Sequence, residues 1–286
     1  MRRAPSLPAL AAASAEELLL ASQAARDSEA AGAREGLHRL RVAARRLRAL
    51  ISLSRERLPE AEWRPLHTAL RGLLRATGPA RDWQVLLTET LPSLLAETEP
   101  EPEASAPLLD AAWRQETAAR QQSGAALQDQ HHLHLLLALE RYLLACAVSA
   151  ADGEDPGQTA VQVLEQQHRR LRRRARHLDR HDTEALHRLR LRLKAQRYRV
   201  ELLAPGYPGK AVARYLGRLK RLQDQLGRMQ DLQVAERRLR GLRLPTEAAR
   251  TLRRQLLRRC AEAAALQMAD IKGLRLHGDG FRRFWD

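Results

Sequence analysis

The chain is 286 residues long and carries 50 Lys and Arg against 34 Asp and Glu, a formal net charge of +16. That surplus suits a polyanionic partner, while an aromatic content of 3% argues against holding single-stranded nucleic acid by stacking its bases on rings. Cys146 and Cys260 stand alone, without CxxC or Cys/His ligand spacing, so the sequence offers neither a disulfide framework nor a zinc motif.

The N-terminus opens Met1-Arg2-Arg3, but Pro5 and Pro8 interrupt the Ala/Leu stretch and Glu16 and Glu17 close it before a signal-peptide core forms. No run of about eighteen uninterrupted apolar residues follows, so no membrane span is predicted and a soluble, cytoplasmic protein is expected. Nearly all of the chain reads as helix, rich in Ala, Leu, Arg, Glu and Gln. Breaks fall at Leu58-Pro59, Thr77-Gly78-Pro79, 98–107, 149–157, 204–209 and 241–245.

The segment from His38 to Leu50 is the first with a chemical pattern. At 100° per residue from His38, Arg41, Arg45 and Arg48 fall within an arc of about 80°. Beside it runs an apolar stripe of Leu37, Leu40, Ala44, Leu47 and Ile51. Arg39 and Arg46 point elsewhere, toward the expected solvent side. Further along, Asp82 and Asp231 each precede an apolar-periodic segment and are expected to cap helix N-termini. His131, His132 and His134 could offer metal ligands, but no acidic or cysteine partner lies nearby, and a surface or bundle-lining role is expected.

The stretch 149–157, with Asp152-Gly153-Glu154-Asp155-Pro156-Gly157, divides the chain almost in the middle. It predicts a linker between a first half, 10–148, and a second, 158–286, each with room for about four helices. The second half begins with the cation-rich run His168 to Arg176. The His38 pattern then returns at His187, with Arg190, Lys194 and Arg197 on the basic arc and Leu186, Leu189, Leu193, Gln196 and Val200 on the core stripe. Arg188, Arg192 and Arg199 are expected to face solvent, and Glu201 to orient Arg197 at i, i+4 spacing. His181-Asp182 matches a metal-phosphohydrolase dyad only as a dipeptide.

The two halves keep register at a constant offset of 149: Leu70-Arg71 answers Leu219-Lys220, Gly78 answers Gly227, Asp82 answers Asp231 and Val85 answers Val234. An ungapped match over nearly fifty residues predicts an internal duplication, hence an all-α fold of two pseudo-symmetric bundles whose basic faces share one surface.

The motifs His38-x-x-Arg41-Val42-x-x-Arg45-Arg46-Leu47-Arg48, Gly78-x-x-Arg81-Asp82-x-x-Val85 and His187-x-x-Arg190-x-x-x-Lys194-x-x-Arg197-Tyr198-x-x-Glu201 resemble those of the CHAD domain, the conserved histidine α-helical domain. The resemblance covers both halves. It implies two four-helix bundles within a single CHAD domain, binding of inorganic polyphosphate in a basic groove or pore, and association of some members with polyphosphate granules. Ala195, Gln196 and Gln230 depart from the pattern, and the cation-rich 168–176 run suggests a site weighted toward the second half.

Apart from the resemblance, cations three or four residues apart on a helix lie about 5 to 6 Å apart, a ladder that successive phosphates can meet. Arginine grips phosphate oxygens in pairs, while Lys194 and Lys220 act as point charges. The expected polyphosphate-binding set is His38, Arg41, Arg45, Arg48, Arg71, His187, Arg190, Lys194, Arg197 and Lys220. No catalytic residue, metal site or cofactor is expected. A nucleic-acid-binding or architectural protein is the alternative that the same charge allows; an enzyme acting on polyphosphate ranks third, for want of a nucleophile or phosphate loop.

Overall fold

A computed structural model describes residues 5–27, 30–151, 156–179, 182–272 and 283–285, all helix, turn or loop without a strand among them. The helices break at or within each stretch read from the sequence, but helix resumes at Pro102 inside 98–107, and the breaks after Ala125 and after Arg176 have no counterpart among those stretches. The first three, α1 (Leu7–Asp27), α2 (Ala30–Ser54) and α3 (Glu60–Ala76), are followed by the short α4 (Gly78–Val85), a π-helical turn over Leu86–Thr90 and α5 (Leu91–Ala96). Next come α6 (Pro102–Ala125), α7 (Gln130–Ala151), α8 (Pro156–Arg176), α9 (Thr183–Leu203), α10 (Gly209–Arg240) and α11 (Glu247–Lys272). The 149–157 break is thus shorter than its composition suggests. Helix continues to Ala151 and resumes at Pro156, and 152–155 lie outside the described residues.

The offset of 149 governs whole helices. α1 and α8 are both 21 residues long and begin and end 149 residues apart. α2 and α9 end at Ser54 and Leu203, and α3 and α10 begin at Glu60 and Gly209, again 149 apart. The copies differ where Gly78-Pro79 is replaced by Gly227-Arg228. Proline lacks the N–H that would continue α3 and is tolerated only in a first helical turn, so the first copy breaks at Thr77 and restarts as α4. α10, with Arg228 in that place, runs on unbroken.

The chain forms two compact units that cut across the halves. Unit 1 takes residues up to Arg75, Ala126–Gln223 and the C-terminal Arg283-Phe284-Trp285; unit 2 takes Ala76–Ala125 and Asp224–Leu274. In unit 1, α1 packs on α2 and α7, and α9 packs on α2 and α8. Its core holds Leu18, Leu40, Leu47, Leu50, Ile51, Leu66, Leu70, Tyr142, Leu193 and Tyr215, each burial of a large side chain contributing about 1.5–3 kcal/mol. The apolar stripes of α2 and α9 are buried along their length, Gln196 included. Phe284 and Trp285, offset by 149 from Leu135 and Leu136 of α7, pack on α8 and α10. There the Trp285 ring lies 5.6 Å from His168 and 5.2 Å from Tyr215, and its Nε1 donates to Glu165 at 3.2 Å.

In unit 2, α6 packs on α4 and α11 around Trp83, Leu86, Leu91, Leu108, Leu239, Leu252 and Leu256. Neither Asp82 nor Asp231 caps a helix; they lie inside α4 and α10. Pro79 had already set the start of α4, which leaves Asp82 to accept a bond from Arg238 at 3.2 Å, while that guanidinium sits 5.3 Å over the Trp83 ring.

Candidate functional site: a cation-crowded face of unit 1

All ten residues of the expected set lie in unit 1: His38, Arg41, Arg45 and Arg48 on α2, Arg71 on α3, His187, Arg190, Lys194 and Arg197 on α9, and Lys220 on α10. Arg71 and Lys220 are exposed, and most of the others are half-buried beside the core stripe. Arg41 goes deeper. It is 8% exposed and its Nη1 donates to the Leu74 carbonyl at 2.7 Å, tying α2 to α3.

Arg197 donates from Nε to Glu201 at 2.8 Å, as the i, i+4 spacing predicts, and from Nη1 to Gln223 at 3.3 Å. Gln223 in turn donates to the Leu193 carbonyl at 3.1 Å. The guanidinium is therefore oriented from both sides before any ligand arrives.

Arg48, its counterpart at the 149 offset, has a different setting. Its Nε is buried with no hydrogen-bond partner. Burial, followed by the neighbouring Arg71 and Arg45, pulls its pKa below the ordinary arginine value. Next to it, burial and then Arg48, Arg71 and Arg55 depress His67 on α3, whose ring stands edge-on to Trp63 at 6.1 Å. Four cations and one imidazole thus crowd together, with Arg45, Arg48 and His67 half-buried and Arg55 and Arg71 at the exposed margin. That is costly in the free protein and is relieved by an anion.

The crowding continues along α9. Arg199 donates from Nε to Ser52 of α2 at 2.6 Å, and burial, with Arg55 and Arg192 close by, lowers it to about 10. Arg192 is lowered by burial and by Arg174 and Arg170 of α8. Both copies therefore contribute crowded cations, and the effect is not confined to the 168–176 run.

Arg46 and Arg199 correct the expectation of a solvent-facing set. Arg46 bonds Glu17 of α1 at 2.6 Å and lies 4.0 Å from Glu201 of α9. α2 and α9 are each packed on more than one neighbour, so the flank opposite the basic arc is covered as well. Arg39 and Arg188 do stay exposed, paired with Glu35 and with Asp182 and Glu184. Asp182 itself caps α9, accepting from the Glu184 and Ala185 amides; His181 lies outside the described residues.

Sequence reasoning left Arg55 and His67 unnamed and placed Arg192 and Arg199 toward solvent, while Arg170 and Arg174 entered only as members of the 168–176 run. His67 carried a signal, since it precedes Arg71 by one helical turn. Arg192 and Arg199 carried none, because only the packing of α9 against α2 and α8 shows that their flank is covered. The three histidines of α7 diverge: His131 is exposed and bonds Asp129 at 2.9 Å, His132 is buried, and His134 is exposed. Burial raises the Cys146 and Cys260 thiols to about 11, which keeps both protonated and unreactive near neutrality.

A family model described as the CHAD domain matches residues 11–240. Uncharacterized proteins from two strains of Mycobacterium tuberculosis are each 32% identical over 200 residues, covering 64% of this chain. The match takes in 36% of their length, so the chain spans about a third of these curated relatives. Among solved structures, the CHAD domain of the plant Ricinus communis superposes with a TM-score of 0.81 at 26% identity, over 99% of this chain and 95% of that one. PptA from Streptomyces chartreusis shares the fold, with a TM-score of 0.61 at 18% identity over 94% of this chain and 98% of that one. With the duplicated histidine helices in place and the family match running from α1 to the end of α10, the chain belongs to the CHAD domain family.

Proposed function

We propose that this protein binds inorganic polyphosphate without transforming it, through the cation-crowded face of unit 1. The CHAD family is associated with polyphosphate binding in general. The observation that carries the reading for this chain is Arg48, a half-buried guanidinium with an unpartnered Nε whose neighbours are Arg45 and Arg71. A chain of phosphates supplies a negative charge at each step of such a ladder, and each arginine fork takes two oxygens. Arg197, fixed by Glu201 and Gln223, gives a second point of attachment that needs no reordering. On this reading the protein works in the cytoplasm as a docking module, and polyphosphate granules are one setting for it.

Calorimetric titration with polyphosphate, and with single- and double-stranded DNA of equal phosphate count, over a salt series tests the proposal. Polyphosphate is expected to bind more tightly at every salt concentration. Its log K should fall linearly with log salt, with a slope on the order of −0.7 to −0.9 per phosphate neutralised if counterion release resembles that of nucleic acids. DNA binding of equal strength near physiological salt would favour the nucleic-acid reading instead.

A further inference from the structure

We infer that the chain pairs with a second copy of itself through the outward face of α7, the two α7 helices lying parallel. Of the nine large apolar side chains exposed among the described residues, four are on this helix: Leu133, Leu137, Leu144 and Val148, each between 54% and 68% exposed. At 100° per residue they fall within about 60° of arc and extend roughly 22 Å, one straight stripe. The inward face is already occupied. Leu135, Leu139, Tyr142 and Cys146 are buried, and the Tyr142 hydroxyl is bonded to Ser54 of α2 at 2.8 Å. A continuous apolar stripe with charged margins marks a protein contact.

The charges on its margins select both the occupant and its direction. Glu140 and Arg141 are exposed and sit at mid-stripe, about 50° to either side of its centre line. A two-fold axis running alongside the helices sets Leu137 against Leu137 and Leu144 against Leu144, and each Glu140 beside the Arg141 of the other copy. An antiparallel pair would instead put Glu140 beside Glu140 and Arg141 beside Arg141, like charges on both margins. Arg141 is already held for the role: its Nε and Nη2 donate to Glu62 at 2.7 and 2.8 Å, and Nη1 remains for the other copy's Glu140. The contact is self-complementary, as closed dimers require. By length and composition α7 could also cross a membrane, but a lipid surface would draw Glu140 and Arg141 toward hydrocarbon in the middle of the stripe, which is costly.

Sedimentation of the full chain across micromolar concentrations tests this. The expected result is a dimer that Leu137→Glu with Leu144→Glu converts to monomer at unchanged helical circular dichroism. Glu140→Arg alone and Arg141→Glu alone should each weaken the dimer by about tenfold or more, and mixing the two variants should produce a heterodimer. Under oxidation Leu137→Cys should cross-link to itself, the native thiols being buried. Three outcomes would each overturn the inference: a monomer at all concentrations, cross-linking of Leu137→Cys only with Leu144→Cys, or a monomer that co-sediments with phosphatidylcholine–phosphatidylglycerol vesicles.

Discussion

Arg48 and Arg199 are charged groups that the free protein gains little by burying, and this makes them informative targets. Arg48→Met and Arg199→Met keep the apolar stem and remove the cation. Because each sits among like charges, neither change should lower the melting temperature, and Arg199→Met should raise stability by about 1 kcal/mol, as removal of poorly compensated buried charge often does. Arg48→Met should weaken polyphosphate binding by about tenfold or more, whereas Arg199→Met, on the covered flank opposite the basic arc, and Arg39→Glu, on an exposed residue, leave binding nearly unchanged. Thermal melts paired with titrations check the set, and a large loss of stability in either methionine variant would contradict it. His67 adds a pH dependence. Its lowered pKa means the unfolded chain binds more protons there between the depressed value and the ordinary one, so this contribution to stability is lost as pH falls through that window. A bound polyanion offsets Arg48, Arg71 and Arg55 and raises the imidazole, so binding takes up a proton and affinity rises as pH falls through the window between the raised and the depressed values. Calorimetry in two buffers of different ionisation enthalpy should detect that uptake in the native protein and not in His67→Gln. The basic arcs were legible in sequence because a helix has a fixed period. The buried flank with Arg199 was not, because burial there depends on which helices pack around α9.

At the level of elements, helix starts were legible wherever proline or glycine dictated them, as at Pro79, but that same proline is why Asp82 did not serve as a cap. The correspondence of α1 with α8 was hidden from sequence. One is Ala/Leu-rich and the other arginine-rich, so length and place in the repeat survived while side chains diverged. α1 and α2 also meet at a point where only glycine fits. A Cβ on Gly36 would lie 2.6 Å from the Ala24 carbonyl oxygen and 2.8 Å from the Ala25 amide nitrogen, and backbone on both sides leaves no flexible side chain to give way. Gly36→Ala should therefore destabilise by about 1–3 kcal/mol despite alanine's better helix propensity, and denaturant melts should show a lower midpoint. A stabilised variant would mean that α1 can shift on α2 at little cost.

For the molecule as a whole, the duplication was legible as an offset, but the compact units were not, because a repeat in sequence does not say which copies bury one another's faces. Unit 1 takes α1, α2, α3 and α7 from one half and α8, α9 and the start of α10 from the other. α2 and α9 pack along stripes that would otherwise face water. Separately expressed fragments 1–151 and 156–286 should accordingly show little cooperative unfolding alone and regain a melting transition when mixed. Independent two-state melts of each fragment would show that the halves are self-sufficient. Either half by itself holds only part of unit 1, so cutting the chain near its middle would bare to water the stripes of α2 and α9 that now cover each other.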